Sequence, residues 1–451
     1  MTSNSTDLKK VERNAIGSRH SANQKKSGDD IWRRSMIKAT YFRKLLVLVG
    51  AALLLSLSPL HAASFSAKRG INLDLWVTWP DEAEWSKEDV LLPYPEWQRT
   101  VGLDELAALK GTGFDFVRIP VDPLPFLSSQ SAALKPRLLA SVLEAVQLAD
   151  AAGLKAIVDL HPIPLGADRF AGAEELLRDE ALFERYLDLV RDMGRTLSGQ
   201  DPERVAFELM NEPVIGCEGE EADQWRDKLT RLFAAARSSA PRLTLVLTGA
   251  CWSSAEGLAA IDPKAIWDDN ILWGFHSYAP FILTTQGAQW AGDFIRYVTG
   301  IPYPPYAFPE ELAEGVENAR QKIGSEAPLT RRPGMLAYLE EQMALVDTQE
   351  ELEAEMGAPF RVVAEWAQKN GVEPSDIILS EFGMIRQEYG NPAIMPPQWR
   401  AAYARDMIWL AEKHGFAWSL WGYGGAFGIV EEFGGRKAEK DVLEVIKQLG
   451  E

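Results

Sequence analysis

Cysteine is nearly absent from the chain. Two residues, Cys217 and Cys251, among 451 exclude a disulfide-stapled scaffold and a zinc ribbon built on thiolates. Histidine is scarce too, with five in all, and none falls in the first apolar run, RGINLDL (69–75). A metal-dependent barrel hydrolase would be expected to carry paired histidines there, so neither a metal nor a cofactor is expected. Positive charge is short: 47 Lys and Arg against 65 Asp and Glu leave −18. Such a balance argues against nucleic acid or an anionic membrane surface as a partner. No phosphate-binding glycine loop follows the first apolar run, which removes the usual mark of a doubly wound nucleotide-binding sheet. Aromatic residues, by contrast, are plentiful. Fifteen Trp are rich for a chain of ordinary globular composition, and indoles often serve as flat apolar faces.

The scarce positive charge is unevenly placed. Residues 1–63 hold eleven Lys or Arg and four acids, so the remainder is more acidic than the whole. Within them LLVLVGAALLLSL (45–57) follows Arg43 and Lys44 and ends in SPLHAAS. A positive region, a short apolar core and small residues at its end predict a secretory signal over 36–63. The run falls short of the roughly 18–20 residues of a membrane span, so no stable span is expected after processing. An uncleaved anchor is the alternative. Residues 1–35 are polar and aperiodic, and are expected to be disordered or to lie before the native start at Met36. The body, 64–451, is then secreted or periplasmic. Such compartments permit disulfides. Cys217 and Cys251 each follow a strand of the body; a bridge between neighbouring loops and two separate buried thiols both remain open.

From residue 64 short apolar runs alternate with helical segments. Strands are predicted at 69–75, 114–121, 155–162, 205–213, 242–249, 271–278, 376–383 and 417–425, each brief and apolar as in strands buried on both faces. Amphipathic stretches over 136–151, 222–239 and 398–413, and a last helix over 439–449, separate or follow them. Gly153, Gly371 and Gly415 stand where helices would end in a left-handed cap. The pattern predicts an α/β fold, a single (β/α)8 TIM barrel, with a long insertion after strand 6 (279–375). The first part of that insertion carries Trp290, Phe294, Tyr297, Tyr303, Tyr306 and Phe308, and is expected to wall or cover a cleft. The acidic run at 350–355 reads as a solvated helical face.

Polar residues recur at the ends of these apolar runs. Arg118 is placed at the end of the second, His161 of the third, and Asn211 and Glu212 of the fourth. His276 and Tyr278 end the sixth, Glu381 the seventh and Trp421 the eighth. In a barrel they would converge at one mouth. Two glutamates there suit acid–base work in which one carboxyl keeps its proton and the other stays ionised. Glycoside hydrolysis needs that pair. Glu381 is the candidate for the ionised partner, with Arg118 and Tyr278 favouring its charge. Glu212 is the candidate acid. Trp421 offers a face for a pyranose ring, and Asn211 a contact for a sugar hydroxyl. Trp252, after the fifth strand, and Trp290 are candidate platforms beyond the reacting sugar, with Trp79 and Trp97 as weaker ones.

The motifs ELMNEP (208–213), ILSEFG (378–383), FVRIP (116–120), DLH (159–161), FHSY (275–278) and WSLWGY (418–423) resemble glycoside hydrolase family 5, the cellulase family of the retaining-barrel clan. The resemblance spans roughly residues 69–425. It implies Glu212 as general acid/base, Glu381 as nucleophile, and Arg118, His161, Asn211, His276, Tyr278 and Trp421 as the remaining active-site positions. It implies an enzyme acting by double displacement on a β-linked oligo- or polysaccharide, a β-glucan first. β-Mannan, xyloglucan, an exopolysaccharide and transfer to another sugar stay open, because the insertion after strand 6 departs from simple cellulases. A carbohydrate-binding barrel without catalysis is the reading from another class.

Overall fold

The computed structural model describes residues 65–74, 82–92, 101–163, 171–266, 268–432 and 436–449. The predicted leader, Trp79 and Trp97 lie outside the described residues. Eight parallel strands close a barrel in sequence order. They are β1 (Arg69–Asn72), β2 (Phe116–Val121), β3 (Lys155–Leu160), β4 (Val205–Glu208), β5 (Thr244–Thr248), β6 (Ile271–His276), β7 (Ile377–Phe382) and β8 (Ala417–Leu420). The barrel predicted from the apolar runs is therefore present. All eight are shorter than expected, and three end well early: β1, β4 and β8 stop at Asn72, Glu208 and Leu420. The apolar character continues past these points because the following turns are themselves buried, and burial does not mark where ladder pairing ends.

Side-chain alternation along each strand builds the interior in layers. Phe116, Ile157, Ala206, Val246, Leu272, Ile378 and Ala417 form one cluster at the start of the strands, plugged by Phe65 and Ala67 from the preceding chain. Phe65 is fixed there by its backbone N–H, which donates to Thr244 Oγ1 at 2.9 Å. Gly70 completes the layer without a side chain. A Cβ at that position would meet the Phe116 ring at 2.2 Å. Residues of the opposite parity, such as Val117, Ile119, Val158, Phe207, Leu245, Leu247 and Phe275, belong to a second core between strands and helices. Each such aliphatic side chain contributes roughly 1.5–3 kcal/mol by leaving water.

The principal helices outside the barrel are α1 (Leu103–Thr112), α2 (Lys135–Ala151), α3 (Glu180–Leu197), α4 (Gly219–Ser239), α5 (Ala255–Ala259), α6 (Pro309–Glu326), α7 (Arg332–Ala344), α8 (Gln349–Asn370), α9 (Pro397–His414) and α10 (Asp441–Gln448). The caps of α8 and α9 are Gly371 and Gly415, both left-handed as expected, at φ 72° and 78°. Among the described residues no helix is long and apolar enough to cross a membrane.

The insertion after β6 holds α6, α7 and α8, and it corrects one expectation. Three of its six early aromatics are packing contacts within the protein. Tyr303 is 1% exposed and donates to Asp406 of α9 at 2.7 Å. Phe294 packs edge-on against Tyr338 of α7, and Phe308 lies tilted against Trp399 of α9. These rings tie the insertion to itself and to α9. Glu350, Glu351 and Glu353 are exposed on α8, as expected of a solvated face.

Candidate active site

Above the apolar plug the same alternation turns inward a polar layer, centred on Arg118. Arg118 lies in the middle of β2 rather than at its end, and it is fully buried. Its Nε and Nη2 donate to the two oxygens of Glu208 at 2.7 and 2.8 Å. Its Nη1 donates to Glu381 Oε1 at 2.7 Å and to Asn72 Oδ1 at 2.9 Å. Its Nη2 also reaches Asn211 Oδ1 and Asp159 Oδ2, both at 2.9 Å. The five N–H groups of a guanidinium are thus all engaged within the protein. Arg118 lies against Glu381, as expected, but as an active-site position it holds neighbouring side chains and keeps no N–H for a substrate.

Glu381 reaches the pocket through an irregularity. On β7, Leu379 faces the helices, so strict alternation would send Glu381 outward with it. The pairing to β6 shifts there, setting Phe275 opposite Leu379 but His276 opposite Glu381. The pairing to β8 shifts over the same stretch. Such a bulge re-aims one side chain. Glu381 is 3% exposed, with Oε1 held by Arg118 and Oε2 accepting from the Tyr278 hydroxyl at 3.0 Å.

Glu212 stands four residues beyond the end of β4, with φ 40°. A non-glycine residue in that left-handed region is strained, and such residues cluster at functional sites. One oxygen each of Glu212 and Glu381, with a ring nitrogen of His276, lie within 4.8 Å of one another. Glu212 Oε1 is 3.0 Å from His276 Nδ1. Burial pushes the Glu212 carboxyl up to about 7, against the pull of His161 and Arg118. Burial likewise drives His276 down to about 4, so its ring is neutral at physiological pH. A neutral ring nitrogen can accept from a protonated Glu212 or donate to an ionised one.

His161 and Asn211 form a relay beside the pair. His161 Nδ1 lies 2.7 Å from Asp159 Oδ2, and its Nε2 lies 3.1 Å from Asn211 Nδ2. Arg118 donates to Asn211 Oδ1, so the amide nitrogen must face His161, and the histidine carries its proton on Nδ1. Both ring nitrogens of His161 are engaged, which makes it a support for Asn211 instead of a sugar contact. Its ring also stacks on Trp421, at 5.4 Å between centroids and 14° between planes. Trp421 is half-buried, and the glycines that follow it close over Asp74. The Asp74 carboxylate accepts from the Gly424 N–H at 2.8 Å, and a Cβ on Gly422 would meet its Cγ at 2.6 Å.

The outer platforms divide. Trp252 is 51% exposed, and its N–H donates to the carbonyl of Pro213, the residue after Glu212, at 3.2 Å. Trp290 is 59% exposed and leans on Phe427, which packs edge-on against Tyr278. Cys217 and Cys251 are bridged, with Cα atoms 5.5 Å apart. The sequence reading left out Asn72, Asp74, Asp159 and Glu208, which hold the other members in place. Alternation from Arg118 and its neighbours was the available signal, since Glu208 and Asp159 share the parity of the plug residues Ala206 and Ile157. Among the described residues, Glu212, His276 and Glu381 are the one group arranged as metal ligands would be. The Arg118 guanidinium against Glu381 opposes a second cation there.

The family model for cellulase (glycosyl hydrolase family 5) matches residues 97–427. The chain belongs to that family. It is 26% identical over 244 residues to endoglucanase C of Acetivibrio thermocellus, covering 53% of this chain and 65% of that one. It is 26% identical over 230 residues to cellodextrinase A of Ruminococcus flavefaciens, covering 50% of this chain and 63% of that one. The match thus spans just under two thirds of the length of either relative. The fold is also that of Thermotoga maritima Cel5A in its complex with cellobiose, at a TM-score of 0.56 and 21% identity, covering 84% of this chain and 97% of that one.

Proposed function

We propose that the protein is an exported retaining glycosidase that cleaves β-linked glucan by double displacement. The observation that carries this reading is the approach of Glu212 and Glu381, with carboxylate oxygens within 4.8 Å. Retaining enzymes hold their carboxyls about 5–5.5 Å apart, whereas inverting ones need about 6.5–9.5 Å to admit a water. The unequal surroundings of the two groups fit the division of labour. Glu381, aligned by Arg118 and Tyr278, attacks the anomeric carbon as a carboxylate. Glu212, holding its proton up to about 7, gives it to the departing oxygen. Ester formation then removes the negative charge of Glu381, which lowers the proton affinity of Glu212 beside it. Glu212 can now take a proton from the water that releases the sugar.

Asn211 retains a second amide N–H for a sugar hydroxyl, and Trp421 a face for the ring. The β-glucan preference is supported by the endoglucanase and the cellodextrinase among the relatives. Export is supported by the charged and apolar leader and by the Cys217–Cys251 bridge. The test is product analysis of the native protein on a panel of soluble β-1,4-glucan, mixed-linkage glucan, xyloglucan and mannan. Shortened β-glucan chains released first as the β-anomer are expected. Inversion at the anomeric carbon, or binding without cleavage of any polymer, would overturn the mechanism. Preference for mannan would overturn the substrate alone.

A further inference from the structure

Three successive non-glycine residues after β5 adopt left-handed backbone: Cys251, Trp252 and Ser253, at φ 52°, 56° and 58°. Each residue is unfavourable there, so the turn persists only where its surroundings over-determine it. On one side the Cys251 N–H donates to Ile215 O at 2.9 Å, and the Trp252 N–H to Pro213 O at 3.2 Å. The bridge from Cys251 to Cys217 fastens the same two loops covalently. On the other side Gly249 and Gly257 cross backbone on backbone, and a Cβ on either would lie 2.0 Å from the other strand of the crossing. The Ser254 hydroxyl caps α5 by accepting from the Gly257 N–H at 3.0 Å. The backbone of this turn is thus held from both sides, and the Trp252 indole it carries is 51% exposed.

The partner loop is the one that carries Glu212. An acid that protonates the leaving oxygen borders the departing sugar, so the segment cross-linked to it borders that sugar too. From this geometry, and resting on the glycosidase reading above, we propose that the Cys217–Cys251 bridge is a positioning device. It holds the Trp252 indole as the stacking face for the leaving-group sugar. The chemistry suits the ring, because an indole offers a rigid apolar surface to the C–H face of a pyranose at small conformational cost. The bridge also adds general stability, as any cross-link does, and the test must separate the two roles.

The experiment compares the native protein with Trp252→Ala, Cys217→Ala/Cys251→Ala and the triple variant, at a temperature where circular dichroism shows all four folded. Two substrates are used: a β-1,4-gluco-oligosaccharide that extends past the scissile bond, and β-cellobiosyl fluoride, whose one-atom leaving group cannot reach Trp252. On the oligosaccharide, the tryptophan variant and the cysteine pair variant each lose about 10-fold in kcat/KM. The triple variant loses no more than Trp252→Ala alone, since coupled residues are not additive. On the fluoride the cysteine pair variant stays within about two-fold of native, and the basic limb of its pH profile does not move. A triple variant whose loss is the product of the separate losses would overturn the proposal. So would a bridge-free protein that matches native on the oligosaccharide, or one that loses equally on both substrates. Failure of the native protein on both substrates and on every polymer of the panel would sink the glycosidase reading itself, and this inference with it.

Discussion

The two glutamates face each other across one gap but are held in opposite ways. Glu381 sits within a strand, with a donor on each carboxylate oxygen. Glu212 sits beyond its strand in a left-handed turn, and its side chain pairs with a neutral histidine. Their side chains differ in exposure as well, 18% for Glu212 against 5% for Glu381. In the proposed mechanism the attacking carboxylate is the one supplied with a cation and hydrogen bonds. The proposed acid is left to burial and one adaptable partner. The difference teaches that the surroundings of each carboxyl are set by what its backbone position can reach, since the two side chains are chemically identical.

The sharpest way to break this comparison is to neutralise the strand-held side. Glu381→Gln should lower kcat by about 10⁴-fold or more, while circular dichroism and melting temperature stay close to native. Near-native turnover would end its assignment as nucleophile. Next is the support beneath it. Arg118→Met leaves Glu208, Asp159 and Glu381 buried without their cation, and should cost about 3–5 kcal/mol of stability in urea unfolding. A loss under about 1 kcal/mol would mean that the layer does not depend on that charge.

The loop-held side predicts a pH signature. The folded pKa of Glu212, about 7, lies above its ordinary value of 4.5, so the folded state binds more protons between them. Stability therefore falls as pH rises through that window, by up to about 3 kcal/mol from this group. Glu212→Gln should melt higher than native at pH 8 and show no such gain at pH 4. In the native protein, kcat/KM should decline as pH rises past about 7. A gain in melting temperature that is the same at both pH values would refute the raised proton affinity. The smallest expected effect is at Tyr278→Phe, which removes one donor from Glu381. A drop in kcat of about 10-fold is expected, with little change in melting temperature.

Much of the architecture was legible before any coordinates. All eight strands fall inside runs read from apolar residues, and the four helical stretches read from the sequence correspond to α2, α4, α9 and α10. Strand ends were less legible: at Asn72, Glu208 and Leu420 pairing stops while burial continues. The aromatic stretch after β6 was misread for a related reason. Ring content alone does not tell a platform from a strut, and Tyr303, Phe294 and Phe308 are struts. Arg118 was recognised as a member of the site and a neighbour of Glu381, but not as the centre of a buried polar layer. Its depth in the barrel depends on counting layers from the plug, which needs the register of neighbouring strands.

Local chemistry by itself determined the alternation of strands and helices, and the identity of the two carboxyls with Asn211, His276, Tyr278 and Trp421 around them. Those features follow from side-chain type and from periods of two and 3.6 residues, both written along the chain. Tertiary structure decided which way Glu381 points, how Glu212 is twisted toward it, and that Cys217 finds Cys251. A bulge, a left-handed turn and a cross-link are each relations between segments distant in sequence. Their energies arise only once the barrel has closed and brought those segments into contact.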